Sequence, residues 1–532
     1  MRLDLSQGIA PVSTRVMNLS HFLTDVARRH PDAPGFLWGD ATWRWAQMEA
    51  RAAAFAELLI QRFGVRKGDR ILVQSANCNQ MFEAMFGCWR AGAVWVPANF
   101  RQTPEDVAWL AAASQARGLL VGAEFAGHAA ACAPHVDFTI AIGDSEFAPD
   151  YEALIAPFLG QSRPAASVQR DDPCWFFFTS GTTGRPKAAV LTHGQMAFVV
   201  TNHLCDLMPG TGPDWGGQHA SLVVAPLSHG AGIHQLAQVA HGVPSILPRG
   251  ARLDPAEIWA LVERHRVTNL FTVPTIVKLL VEHPAVDAHD HSSLRHVIYA
   301  GAPMYRADQI TALDKLGPVL VQYFGLGEVT GNITVLPPVH HSTGEMKLGT
   351  CGFARTGMQV QVQREDGSEC DPLETGEICA TGPAVFAGYF NNPEANAKAF
   401  RDGWFRTGDL GHMDAEGFVY LTGRASDMYI SGGSNIYPRE IEEKILLHPA
   451  VSEVAVLGVP NRRWGEVGLA VCVCRAPLGA AELLGWLGER LARYKLPAHV
   501  VFWDEMPKSA YGKITKKMIR DELAARGQIP PE

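Results

Sequence analysis

Residues 70–99 read RILVQSANCNQMFEAMFGCWRAGAVWVPAN. An apolar run of strand length, a stretch with helical periodicity and a second apolar run follow one another without interruption. This is the pattern of a βαβ unit, in which a covering helix joins two parallel strands. The alternation recurs further on. SLVVAPL, TNLFTVP, HVIYAGAP and VLVQYFG read as strands, with PAEIWALVERHR, TIVKLLVEHP and ADQITALDKLG as helices among them. Two similar α/β lobes are expected. Upstream of the first unit, Asn18 or Ser20 is positioned to cap a helix running to Arg29, GFLWGDATWRW reads as a hairpin turning at Gly-Asp, and Trp45 to Phe63 has helical periodicity.

The texture changes twice toward the C-terminus. QVQVQREDGSECDPLETGEICATG alternates as strands do around an Asp-Gly turn, which predicts a small β subdomain over about 345–422. Near residue 424, LTGRASDMYISGGSNIYPREIEEKI brings small polar residues and paired glycines before a charged helix. Such a segment suits a domain boundary. The expected division is 1–425, two α/β lobes and the β subdomain, and 426–532, a small α+β domain.

At 532 residues with 47% hydrophobic content, the chain exceeds one core and has material for several. A formal net charge of -8 leaves no basic excess for a nucleic-acid backbone, so no nucleic-acid partner is expected. The ten cysteines are scattered, without zinc or disulfide spacing, as expected of reduced thiols in a cytoplasmic protein. Cys472 and Cys474 alternate as on one face of a strand. No signal peptide or transmembrane run is legible.

One loop carries a chemical message. In TSGTTGRPK, 179–187, Gly181 and Gly184 let backbone N–H groups converge, while Thr179, Ser180, Thr182 and Thr183 add hydroxyl donors. Lys187 adds a compact positive charge. The set suits polyphosphate oxygens, although the spacing is not that of the P-loop.

Taken with the segments that follow it, the loop resembles that of the adenylate-forming enzymes, which include acyl-CoA synthetases, luciferases and peptide-synthetase adenylation domains. The resemblance spans nearly the whole chain, with the motifs in the family's order. It implies that TSGTTGRPK grips the polyphosphate of ATP, with Thr183 also counted among the catalytic residues. VVAPLSHGAG, 223–232, would line the acid pocket through His229 and Gly230, joined by Thr275 and Gly301. In YAGAP, Gly301, Ala302 and Pro303 would pass beside adenine. In VQYFGLGEVT, Phe324 or Tyr323 would lie against adenine next to Gly325, and Glu328 would hold Mg2+, a hard ion suited to a carboxylate. Gly327 departs from the family's threonine or serine, with Thr330 as a substitute hydroxyl. Asp409 of TGD would accept from the ribose hydroxyls and Arg424 would bind close by. Ser426 stands at the hinge of a mobile C-terminal domain, Gly432 and Gly433 would line the pantetheine tunnel, and Lys513 of PKSAYGK would be the catalytic lysine.

The implied reaction is an ATP-dependent acid–CoA ligation with ATP, Mg2+ and CoA. A carboxylate displaces pyrophosphate from ATP to give an acyl adenylate, and the CoA thiol then displaces AMP. Two rivals are a stand-alone adenylation enzyme loading a carrier protein and a catalytically silent nucleotide-binding homologue. VVAPLSHGAGIHQ has no acidic residue to hold an ammonium, which disfavours an amino-acid substrate. The pocket segments, 225–234, 273–277, 299–304 and 322–331, are apolar and small, with histidines at 229 and 234. No arginine or lysine stands out in them, so a fatty or aromatic monocarboxylate is expected rather than a dicarboxylate. The partners are thus small molecules, and the chain is compatible with a homodimer.

Overall fold

The computed structural model describes residues 15–179, 185–207, 219–250, 252–302, 304–341, 349–508 and 514–530. The βαβ unit is strand Arg70–Gln74, helix Asn79–Ala91 and strand Val94–Pro97, with the strands parallel and Arg70 opposite Val94. The helix starts where Cys78 Sγ accepts the Met81 N–H and ends at Gly92, whose left-handed φ of 79° suits a residue without Cβ. Its Phe82, Met85, Phe86 and Trp89 are buried in one core with Trp175 of this lobe and Val321 of the next. That shared core explains why the helix is buried on nearly every side, with its Glu83 and Arg90 paired to Arg51 and Glu49.

The six-stranded sheet runs Phe138–Ile142, Gly118–Gly122, Arg70–Gln74, Val94–Pro97, Pro173–Thr179 and Lys187–Thr192, parallel except for its last strand. The second sheet has nine strands. From one edge they are Phe353–Ala354, Thr334–Leu336, Leu320–Phe324, His296–Tyr299, Asn269–Thr272, Ser221–Val223, Ser245–Leu247, Pro34–Trp38 and Ala41–Arg44. The expected hairpin forms, but not beside its neighbours in sequence: Phe36 pairs with Ser245, at the far edge of the second sheet. Pairing over that separation is invisible to local pattern. Likewise Phe353–Ala354, within the stretch read as a β subdomain, completes the nine-stranded sheet.

Trp404–Met413 organises the five-stranded sheet that follows, pairing with Gly376–Thr381, Phe400–Arg401 and Val419–Arg424, while Gln359–Gln363 lies on the outer side. The last sheet contains Tyr429–Ser431, Ser434–Ile436, Val451–Asn461, Gly465–Cys474 and His499–Trp503. With helices Pro438–Ile445, Ala480–Gly488 and Lys516–Ala525 it has its own apolar clusters. The architecture is therefore mixed α/β, with a large N-terminal domain and a small C-terminal one. Cys472 and Cys474 share a strand, as expected, and the ten cysteines are all free thiols. No helix among the described residues is long and apolar enough to cross a membrane.

Candidate active site

The hairpin Pro173–Thr179/Lys187–Thr192 sets Thr179 opposite Lys187. After strand Leu320–Phe324 the chain makes a single 3-10 turn, Gly327–Val329, which presents Glu328 to that hairpin. Thr179 Oγ1 donates to Glu328 Oε1 at 3.0 Å, and the Tyr389 hydroxyl donates to the same oxygen at 2.8 Å. Glu328 Oε2 is buried without a hydrogen-bond partner among the described residues. Lys187 Nζ lies 4.8 Å from the centre of the Tyr389 ring, within cation–π range.

Tyr389 is brought there by backbone pairing. The Val190 N–H donates to Gly388 O and the Phe390 N–H to Ala188 O, both at 2.9 Å, so segment 387–390 runs beside Lys187–Thr192. Burial, reinforced by the Glu328 charge, pushes the Tyr389 hydroxyl far above its ordinary range, which keeps it a proton donor; the Arg424 charge opposes this. Arg424 is itself paired with Asp409, Nε to Oδ1 at 3.0 Å, across neighbouring strands where the two face each other in register.

The structure thus brings Thr179, Lys187 and Glu328 together through Tyr389, with the Arg424 charge, itself paired with Asp409, close enough to act on it. Ser180, Gly181, Thr182, Thr183, Gly184, Pro303 and Lys513 lie outside the described residues. Tyr389 was missed by sequence reasoning, because a tyrosine in GYF carries no signal of the carboxylate it meets.

Gly327 has a steric explanation. A Cβ there would stand 2.6 Å from Phe177 Cδ1 and 2.7 Å from Thr179 Cγ2, so Phe177 fills the space of the family's hydroxyl side chain. Thr330 is buried at left-handed φ, with its hydroxyl donating to Val329 O at 2.7 Å.

From Phe177 a line of contacts leads inward. Its ring meets His229 edge-on at 5.1 Å, and His229 precedes helix Gly230–Ala240 with Nδ1 2.8 Å from Ser228 Oγ. A Cβ on Gly230 would stand 2.6 Å from Phe271 Cζ and 3.5 Å from the Tyr323 hydroxyl, and Phe271 stacks on Tyr323 at 5.6 Å. Tyr323 is therefore buried with its face taken, while Phe324 on the opposite face of the strand is half-buried. Gly325 lets the chain pass Gly331, whose α-carbon an added Cβ would meet at 2.7 Å.

Gly301 follows strand His296–Tyr299 with φ of 80° and is exposed, with Ala302 half-buried. Thr275 is exposed in the first turn of helix Pro274–Glu282. Ser426 is exposed beyond Arg424, and Gly432 and Gly433 form the turn between Tyr429–Ser431 and Ser434–Ile436, both at positive φ. Arg355 lies outside the pocket segments read from sequence, yet its guanidinium is 5.9 Å from the Tyr323 ring.

The AMP-binding enzyme family matches residues 23–390, and the AMP-binding enzyme C-terminal domain matches 440–513. Feruloyl-CoA synthase of Amycolatopsis sp is 36% identical over 501 residues, covering 93% of this chain and 96% of that protein. Indoleacetate–CoA ligase of Aromatoleum aromaticum is 32% identical over 524 residues, covering 96% and 99%. The structure of o-succinylbenzoate CoA synthetase from Bacillus subtilis, in complex with its acyl-adenylate intermediate, superimposes with a TM-score of 0.81 at 29% identity, covering 94% of this chain and 98% of that one. The chain belongs to the AMP-binding enzyme family, within the adenylate-forming superfamily, and is an enzyme of the AMP-forming acyl-CoA synthetase class.

Proposed function

We propose that the protein is an ATP-dependent ligase that joins an aromatic monocarboxylic acid to CoA through an acyl adenylate. The observation that carries the substrate class is the set of ring contacts beside the Glu328 turn, Phe177 against His229 and Phe271 against Tyr323. Flat rings favour offset or edge contacts with another flat ring. The two relatives named for feruloyl and indoleacetyl substrates support the same class.

In the first half-reaction an acid oxygen attacks the α-phosphorus of ATP and pyrophosphate leaves. The barrier falls through positioning and charge neutralisation. Lys187, held over Tyr389, faces the polyphosphate, and Ser180–Gly184 with Lys513 take the roles that the family resemblance gives them. Phe324, half-exposed where Tyr323 is not, lies against adenine beside Gly301, Ala302 and Pro303. Asp409 accepts from the ribose hydroxyls while Arg424 holds it. Glu328, with an unpartnered buried oxygen and its other oxygen fixed by two hydroxyls, fits Mg2+, which would neutralise phosphate charge there. In the second half-reaction the CoA thiol attacks the acyl carbonyl and AMP leaves. The 426–532 domain turns about Ser426 between the steps, and the Gly432–Gly433 turn leaves room for the pantetheine arm.

The test is CoA-dependent AMP release and thioester formation across acids from acetate through long fatty acids to benzoates, cinnamates and arylacetates. Aromatic acids are expected to give the highest kcat/KM. A maximum among the fatty acids overturns the aromatic reading, and adenylation without CoA transfer favours a carrier-loading enzyme.

A further inference from the structure

Hydrogen bonds that cross between the two domains converge on helix Pro438–Ile445 and the start of strand Val451–Asn461. Glu442, buried on that helix, divides its oxygens between the domains. Oε1 accepts the Val456 N–H at 2.7 Å and pairs with Lys516, both within the C-terminal domain. Oε2 accepts the Tyr305 hydroxyl of the N-terminal domain at 3.3 Å. Burial and the Glu442 and Glu443 charges push that hydroxyl far above its ordinary range, so it remains a proton donor.

Two further contacts flank this one. The Arg306 N–H donates to Glu443 at 3.3 Å, and Lys278 Nζ donates to Ser452 O at 2.8 Å. Lys278 is also paired with Asp308 at 3.0 Å, so a carboxylate of its own domain steadies the ammonium that reaches across. Tyr305 follows the YAGAP segment by two residues and directly precedes helix Arg306–Leu316. Its place in the chain thus links the segment assigned to adenine with the neighbouring domain.

The side of the C-terminal domain turned toward the nucleotide residues is the one that carries Lys516, three residues after Lys513. Burial raises the Asp427 carboxyl above its usual range, and the charges of both Lys516 and Arg424 oppose the rise, so the two cations share its neighbourhood. Arg424 is the partner of Asp409. The Gly432–Gly433 turn, in contrast, stands clear of the N-terminal domain. Among the described residues, a Cβ on Gly432 would meet Trp464 of its own domain, and one on Gly433 would meet nothing within 4 Å.

Resting on the two-step reading above, we infer that Tyr305 and Lys278 are positioning residues that latch the C-terminal domain, through Glu442 and Ser452, in the adenylate-forming arrangement. When the domain turns, the Glu442 contacts to Val456 and Lys516 travel with it and the Lys278–Asp308 pair stays behind. Only the crossing bonds are lost. A contact present in one of two states biases their equilibrium by its own strength, and a net hydrogen bond is worth about twofold to tenfold. That bias favours the first half-reaction while leaving the second within reach.

The experiment uses the full chain and the acid with the highest kcat/KM in the series above. It measures single-turnover pyrophosphate release from acid and ATP without CoA, and thioester formation from supplied acyl adenylate and CoA. The proteins are the parent, Tyr305→Phe, Lys278→Met, the double variant and Lys495→Met, which removes an ion pair to Glu440 inside the C-terminal domain. The ratio of thioester formation to pyrophosphate release should rise about twofold to tenfold in each single variant, further in the double variant, and stay at the parent value in Lys495→Met. A ratio that is unchanged or lower in the double variant, or that rises as much in Lys495→Met, overturns the latch and leaves the ligase reading standing. Loss of the fold in either single variant overturns it too, since a contact that opens in every cycle cannot be required for folding. A parent that fails either half-reaction overturns the two-step reading and the latch with it.

Discussion

At the scale of single residues, the Glu328 turn shows how one departure from a family pattern is absorbed by another. Gly327 is bare because Phe177 occupies the space a side chain would take. Gly327→Ser is therefore expected to overpack the site, costing about 1–3 kcal/mol, and Gly327→Ser with Phe177→Val should recover most of that loss. Thermal melts of the two variants check this; a single variant that melts like the parent refutes it. Tyr389 is the second case. Its hydroxyl fixes Glu328 Oε1, leaving Oε2 available. Removing a hydrogen bond to a charged group costs about 1.5–3 kcal/mol, so Tyr389→Phe should lower kcat/KM for ATP about tenfold or more. The Mg2+ concentration for half-maximal rate should rise with it. A loss in kcat/KM with unchanged Mg2+ dependence would assign Tyr389 a purely structural role.

At the scale of elements, helix His193–Asp206 links local sequence to the packing around Tyr323. Thr192 Oγ1 accepts the Gln195 N–H at 3.2 Å and Gln195 Oε1 accepts the Thr192 N–H at 3.4 Å, a capping box at its start. Gln195 Nε2 also donates to Ala384 O at 2.7 Å, tying the helix start to the segment before Tyr389. The same helix carries Asn202, His203 and Asp206 at its far end. Thr192→Ala should cost about 1 kcal/mol. The expected readout is a small fall in melting temperature. A melting temperature equal to the parent's would show that the helix start is held by its tertiary contacts alone.

At the scale of the molecule, the two domains touch through specific polar contacts. The Tyr305 hydroxyl donates to Glu442 at 3.3 Å, the Arg306 N–H to Glu443 at 3.3 Å, and Lys278 Nζ to Ser452 O at 2.8 Å. Exposed or half-buried contacts of this kind can be exchanged for others at small cost, as a rotating domain requires. Lys513→Ala should reduce pyrophosphate release about a hundredfold or more while largely sparing thioester formation from supplied acyl adenylate. Equal loss of both half-reactions would count against alternation. Acid stability is a second global property. Burial pushes His234, His296 and His341 down to about 4, whereas they titrate near 6.5 when the chain unfolds. Between those values the unfolded chain binds more protons, so stability is present above pH about 6.5 and lost as pH falls toward 4. Each contributes a slope of up to about 1.4 kcal/mol per pH unit. Denaturant unfolding across this range checks it; a midpoint independent of pH would refute it.

Much of this protein was legible in its sequence because the relevant physics is local. Period and turn chemistry located the βαβ units, and TSGTTGRPK keeps its chemistry within a few residues, so Lys187 stood out without coordinates, while Glu328 and Asp409 were singled out by the family resemblance. Tertiary structure alone decided what depends on distant segments meeting. Hairpin Pro34–Arg44 joins the second sheet because its pairing partner lies more than two hundred residues away. Tyr389 reaches Glu328, and Arg355 and His203 flank Tyr323, through backbone pairing and packing that leave no trace in spacing. Arg355, outside every segment singled out in the sequence, still packs against the Tyr323 ring, because burial gathers side chains by shape and charge, whatever their order along the chain.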